Sequence, residues 1–199
     1  MTGIEAVAAV LILTNLVLLA RRSIWNFAFA IAGVTLYAWV FWEAKLYSDA
    51  LLQGFFLALN LYGWWSWSVA KAVAGDVVVE RMTPAARGLT VAGIATATAG
   101  WGWLMHRFTD AAAPWLDAGV AMTSVAAQIL LTRRLIENWW LWIAVNAMSI
   151  VLYASRGLYP TLALYVLILG LSVWSLIEWR RAERQRDATR MASIQPLSI

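Results

Sequence analysis

The chain has 199 residues, of which 62% are hydrophobic and 13% charged, with a mean hydropathy of +0.69. A soluble domain of this size cannot hide so much apolar surface, so the composition points to an all-α membrane protein. The absence of cysteine excludes disulfides, thiol catalysis and zinc–cysteine sites, and the net charge of +4 sits between apolar runs, which argues for membrane topology and against a nucleic-acid surface.

Seven apolar runs of bilayer length follow one another. The first, Ile4–Ala20, has only Glu5 ahead of its apolar stretch and is followed by Arg21-Arg22. That order is the reverse of a secretory signal, so the run reads as a retained span. The second is Ile24–Trp42 and the third Ala50–Ala70. The connection Lys71 to Gly88 carries Gly75, Pro84 and mixed charges, and reads as an exposed loop. Leu89–Met105, Leu116–Thr132, Asn138–Tyr153 and Tyr159–Trp179 complete the set, with a tight turn expected at Ser155-Arg156-Gly157. The tail from Arg180 starts as a charged helical extension and is expected to end in disorder around Ser193-Ile194-Gln195-Pro196.

Seven spans place alternate connections on opposite sides, so the cations test the count. Of the 15 lysines and arginines, Arg21, Arg22, Lys71, Arg81, Arg87, Arg133, Arg134 and the five arginines of the tail fall on one side. Lys45, Arg107 and Arg156 fall on the other. Cytoplasmic connections are the basic ones, which puts the carboxyl terminus in the cytoplasm and the amino terminus outside.

Laying spans one to three over five to seven gives a faint internal repeat. Arg21-Arg22 matches Arg133-Arg134, Tyr37-Ala38 matches Tyr153-Ala154, Leu46-Tyr47 matches Leu158-Tyr159, and Gly63-x-x-x-Trp67 matches Gly170-x-x-x-Trp174. The division expected is 1–70 as one three-helix unit, 71–115 as loop and linker helix, 116–179 as a second three-helix unit and 180–199 as a cytoplasmic tail. The two arginine pairs share a side, so the units run parallel, a design transporters use around a midplane site.

The third and sixth spans carry the groups that need explaining. Gln53, Asn60, Trp64 and Trp67 lie on one helical stripe, and Trp139, Trp142, Asn146, Ser149 and Tyr153 on another. Asn60 and Asn146 sit about ten residues from a span end, near the bilayer centre at ~1.5 Å per residue. Single buried amides are commonly helix glue worth about 0.6 kcal/mol. Gln53, Asn60, Gln128 and Asn146, joined by Ser124 and Ser149, exceed that need and indicate a polar cavity. Asn15 lies within one residue of the repeat position of Gln128.

Of the 14 tryptophans, Trp25, Trp39, Trp42, Trp101, Trp103, Trp115, Trp140, Trp174 and Trp179 lie near span ends and suit an interfacial belt. Trp64 and Trp142 are too deep for that and read as pocket residues. No ionisable side chain lies mid-span, which disfavours proton coupling and a phosphorylated ligand. Paired indoles suit a flat, neutral or cationic ring. No nucleophile–base or paired-carboxylate pattern is present, so an enzyme is not expected, nor is a metal or cofactor.

Leu61-Tyr62-Gly63-Trp64-Trp65-Ser66-Trp67, and Glu137-Asn138-Trp139-x-x-Trp142-Ile143-x-x-x-Asn146 running on to Tyr153 and Gly157-Leu158-Tyr159, resemble the third- and sixth-helix signatures of the PnuC-type vitamin-precursor transporter family. The resemblance implies seven helices in a 3+1+3 arrangement of SWEET-like parallel repeats, a bacterial inner-membrane location and a homotrimer. It implies facilitated uptake of nicotinamide riboside with trapping by a cytoplasmic kinase, or of thiamine, riboflavin or a deoxynucleoside in related members. Carried over by position, Trp139, Trp142 and Asn146 would line the site and its cytoplasmic gate, with Gln53, Asn60 and Trp64 facing them. The expected binding set is Gln53, Asn60, Trp64, Gln128, Trp139, Trp142, Asn146 and Ser149, with Trp67 and Tyr153 as gates. The rival from another class is a membrane receptor or assembly subunit with a tryptophan-lined groove.

Overall fold

A computed structural model describes residues 3–43, 47–109, 113–155 and 157–194. The expectations on Lys45, Leu46, Arg156, Gln195 and Pro196 lie outside the described residues. Among the described residues there are seven helices: α1 (Gly3–Ala20), α2 (Asn26–Glu43), α3 (Tyr47–Ala74), α4 (Pro84–Phe108), α5 (Pro114–Thr132), α6 (Asn138–Ser155) and α7 (Tyr159–Ile194).

α1 and α5 end alike. Ser23 N–H donates to Leu18 O at 2.9 Å and Leu135 N–H to Leu130 O at 3.0 Å, closing each helix with a Schellman turn. The left-handed residue in each turn is an arginine, Arg22 at φ 55° and Arg134 at φ 59°. Asn26 and Asn138 then open the next helices, each donating Nδ2 to a carbonyl three residues back, Ser23 O at 2.7 Å and Leu135 O at 2.6 Å.

The α3–α4 connection differs from the exposed loop expected. α3 runs four residues past Ala70, and α4 starts early because Thr83 caps it, its Oγ1 accepting from Ala86 N at 3.2 Å with Pro84 in the first turn. Only residues 75–83 remain between them, and these run extended. Val77 and Val79 point inward and are buried, while Asp76 and Glu80 point out, the two-residue alternation of an extended segment. Glu80 forms a parallel bridge with Leu135, its N–H donating to Arg134 O at 3.0 Å and its carbonyl accepting from Ile136 N at 2.9 Å.

Six helices close a ring. α1 packs on α2, α2 on α3, α3 on α5, α5 on α6, α6 on α7, and α7 back on α1. Among the described residues α4 packs on α5 alone, where Gly102 lets the Trp115 ring approach so closely that an added Cβ would stand 2.6 Å from Cε3.

The apolar core lies at the ring's basic end, the end of the Arg22 and Arg134 turns. Phe27, Trp67, Trp139 and Trp179 are fully buried there together with Val77 and Val79. Phe27 and Trp67 meet at right angles at 5.1 Å, and Trp139 and Trp179 at 88° and 5.5 Å. Such edge-to-face contacts are the favoured aromatic geometry. Trp179 corrects the belt assignment: it is buried because its Nε1–H donates to Leu19 O at 3.1 Å, in the last turn of α1. Trp67 Nε1–H makes the same bond to Leu131 O at 3.2 Å in the last turn of α5. Each of these carbonyls also accepts its turn's own backbone bond, from Arg22 N at 3.0 Å and from Arg134 N at 2.9 Å, so the indole N–H is a second donor that ties the turn to a neighbouring helix. Trp179, and not Trp174, therefore matches Trp67, each 112 positions from its counterpart (179 less 67, 131 less 19). Trp25, Trp39, Trp42, Trp101, Trp103, Trp115 and Trp140 are exposed, as a belt requires.

Candidate binding cavity

A cavity of 340 Å³ occupies the interior of the ring, within the usual range for a small-molecule site. Every helix except α4 contributes to its wall. Gln53, Asn60, Gln128, Trp142, Asn146 and Ser149 of the expected set line it, together with Ser124 and Asn15. Sequence reasoning did not assign Asn26, Tyr37, Tyr165 or Ser172 to the site, and they line it too.

The amides are held in fixed orientations. Asn60 donates Nδ2 to Phe56 O on its own helix at 2.8 Å and accepts on Oδ1 from Gln128 Nε2 at 3.1 Å, tying α3 to α5. Asn146 donates Nδ2–H to Ser172 Oγ at 3.1 Å, tying α6 to α7, and Ser172 donates its own O–H to Ile168 O at 2.9 Å. Asn15 Nδ2 donates to Asn26 O at 2.7 Å, tying α1 to α2. Preset hydrogen-bonding groups lose little freedom when a ligand arrives.

Trp67 and Trp139 stand beneath the cavity, in the aromatic layer that floors it. Trp64 is half-buried, packs on the same layer and meets Trp25 edge-on at 6.2 Å. Tyr153 packs behind the wall against Tyr165, at 5.0 Å between ring centres. The two stripes read from the sequence thus run past the cavity at its ends. Trp67, Trp139 and Tyr153 share its azimuth but not its depth.

Twenty of the 25 lining residues fall into ten pairs 112 positions apart, among them Leu16 with Gln128, Ala30 with Trp142, Val34 with Asn146, Tyr37 with Ser149, Gln53 with Tyr165 and Asn60 with Ser172. That fixed register was the signal that could have found Tyr165 and Ser172 from Gln53 and Asn60. The matches of Tyr37 with Tyr153 and of Gly63 with Gly170 were out of register. Most pairs set a polar or aromatic group against a different one, so the cavity is similar in outline on its two sides and unlike in chemistry.

No lining residue is ionisable in the carboxylate, amine, guanidine or imidazole sense. The wall offers amides, hydroxyls and rings, and nothing to neutralise a phosphate.

Residues 2–181 match the family model described as nicotinamide mononucleotide transporter. The chain belongs to that family. It is 27% identical to the nicotinamide riboside transporter PnuC of Escherichia coli (strain K12) over 217 aligned positions, covering 96% of this chain and 91% of that one. It is 28% identical to the riboflavin/roseoflavin transporter RibM of Streptomyces davaonensis, covering 88% and 83%. A crystal structure of the vitamin B3 transporter PnuC superposes with a TM-score of 0.75 at 28% identity, covering 92% of this chain and 82% of that one. This member of the family is an all-α, multi-pass membrane protein. By length and hydropathy alone, Pro114–Thr132 and Tyr159–Thr189 are long and apolar enough to cross a bilayer. The amide-bearing α3 and α6 fall short of that test, since a span that lines a polar cavity gives up part of its apolar character.

Proposed function

We propose that the protein takes up nicotinamide riboside across the bacterial inner membrane. The observation that carries this reading is a mid-ring cavity of 340 Å³ lined by amides and aromatic rings and free of cationic side chains. A pyridinium ring suits the Trp142 indole through cation–π attraction, and its carboxamide and ribose hydroxyls suit Asn60, Asn146 and Gln128. A mononucleotide would carry its phosphate into a wall with no arginine or lysine to receive it, against the usual requirement. The unphosphorylated riboside is therefore the better substrate.

The reading extends to mechanism and assembly. Without a carboxylate, amine, guanidine or imidazole in the wall, passage is downhill by facilitated diffusion, and phosphorylation by a cytoplasmic kinase retains the product. The ring order and the 112-residue register support a 3+1+3 arrangement, with α1–α3 and α5–α7 as parallel repeats and α4 as linker, over the divisions 1–70, 71–115, 116–179 and 180–199. The cation distribution supports an outside amino terminus and a cytoplasmic carboxyl terminus. Assembly as a homotrimer rests on the family likeness.

Purified protein in liposomes should equilibrate labelled nicotinamide riboside and exclude nicotinamide mononucleotide. Riboflavin is the competing cargo, by similarity to the riboflavin/roseoflavin relative. Preferential exchange of riboflavin, or failure of any flat-ring solute to cross, would displace the riboside reading.

A further inference from the structure

The path from the cavity to the basic end of the ring is closed twice. The first closure is the aromatic layer of Phe27, Trp67, Trp139 and Trp179. The second is the extended strap 75–83, whose Val77 and Val79 insert into the same core cluster from the far side. A solute cannot leave by this end while the strap is seated.

The two Schellman turns hold the strap. Left-handed positions in such turns normally take glycine or asparagine, because a Cβ is unfavourable there. Both hold arginine here, and both guanidinium groups reach the connection that follows α3. Arg22 Nη1 donates to Val77 O at 3.3 Å and lies 3.2 Å from Asp76 Oδ2. Arg134 Nη1 donates to Ser66 Oγ at 3.1 Å, with Nη2 at 3.6 Å from Glu80 Oε1. From the other side Arg186 Nη1 donates to Val79 O at 3.1 Å, and Arg81 pairs with Glu183 in a two-pronged contact. The strap is thus fixed to the α1–α2 turn, the α5–α6 turn and the α7 extension at once.

The ion pairs to the two turns are individually weak, for Asp76 and Glu80 are more than half exposed, whereas Glu183 is buried and its two-pronged pair with Arg81 ties that end of the strap to α7. Exposed ion pairs hold loosely and release readily. That suits a segment that must lift and reseat within each turnover.

We propose that the 75–83 strap is the inner gate of the transport path, and that Arg22 and Arg134 are the positioning residues that seat it. The proposal rests on the transport reading above. It also explains why arginine occupies two backbone positions that glycine would fill with less strain.

The chain has no cysteine, so a crosslink can be placed on a clean background. Glu80 and Leu135 pair across the parallel bridge, close enough for a disulfide. In full-length E80C/L135C reconstituted in liposomes, the reduced protein should exchange labelled nicotinamide riboside at least as fast as the unsubstituted chain, since E80C also removes the Arg134 partner on the strap. Oxidation should lower exchange more than tenfold while riboside binding, read by tryptophan quenching, stays within twofold, and dithiothreitol should restore exchange. Full exchange by quantitatively crosslinked protein would overturn the gate, and so would loss of binding, since the bond would then be distorting the cavity. R22G/R134G provides a second reading that keeps the left-handed turns and removes the clamps. Its maximal exchange rate per folded molecule should rise at least threefold with KM within twofold; an unchanged rate would count against the positioning role. If the unsubstituted chain exchanges no riboside, the transport reading fails and takes the gate with it.

Discussion

Gln128 donates its carboxamide N–H to Asn60 Oδ1 at 3.1 Å across the α3–α5 boundary, and both side chains are buried. Removing one partner leaves the other unsatisfied, at a cost of about 1–3 kcal/mol. Asn60→Leu and Gln128→Leu should each lower the melting temperature of the detergent-solubilised protein. The double variant should lose less than the two singles added together, because no orphan remains. Strict additivity in that cycle would mean the two amides do not depend on one another.

Asn146→Leu separates binding from folding. Its partner Ser172 keeps a hydrogen bond to Ile168 O after the amide is gone, so the α6–α7 contact retains its own satisfaction. Membrane insertion and thermal stability should change little, while riboside uptake falls at least tenfold, a loss of about 1.4 kcal/mol or more. Uptake at the normal rate would remove Asn146 from the site.

The faces of α3 and α6 were legible in the sequence because helical spacing fixes azimuth: Gln53 and Asn60, and Trp142, Asn146 and Ser149, all reach the cavity wall. Depth was not legible. Trp67 and Trp139 lie on the same stripes, yet the level of Trp67 is set by its bond to Leu131 O of α5 and that of Trp139 by edge-to-face packing on Trp179 in the core that Val77 and Val79 share, contacts between residues forty or more positions apart. The strap was missed for a related reason. Gly75, Pro84 and mixed charges look like solvent-exposed loop until the alternation at Val77 and Val79 meets a core supplied by other helices. The Glu137 side chain also acts there, accepting from Met82 N at 3.2 Å and from Arg87 Nε at 2.9 Å, a role its neighbours in sequence give no hint of.

Trp67→Phe and Trp179→Phe test the twinned indole bonds. Phenylalanine keeps much of the ring packing but supplies no N–H, so Leu131 O or Leu19 O keeps only its backbone donor, Arg134 N or Arg22 N, and the bond between helices is lost. Each variant should lose about 0.5–1.5 kcal/mol of stability, the net worth of one hydrogen bond, and the two losses should match within measurement. Trp174→Phe, at a half-buried position without that bond, should cost less than either. Equal losses for Trp174 and Trp179 would undo the 112-residue register.

Gly102→Ala tests how α4 is attached. The new Cβ would stand 2.6 Å from Cε3 of the Trp115 ring, and a rigid indole cannot yield at its centre as a flexible chain end can. Overpacking of this kind costs about 1–3 kcal/mol. Because α4 packs among the described residues on α5 alone, the strain falls on the outer face of α5 and reaches no other helix of the ring directly. Hydrogen exchange in α4 should therefore accelerate while riboside binding by the cavity stays normal. Loss of binding in this variant would show that the linker helix supports the cavity directly.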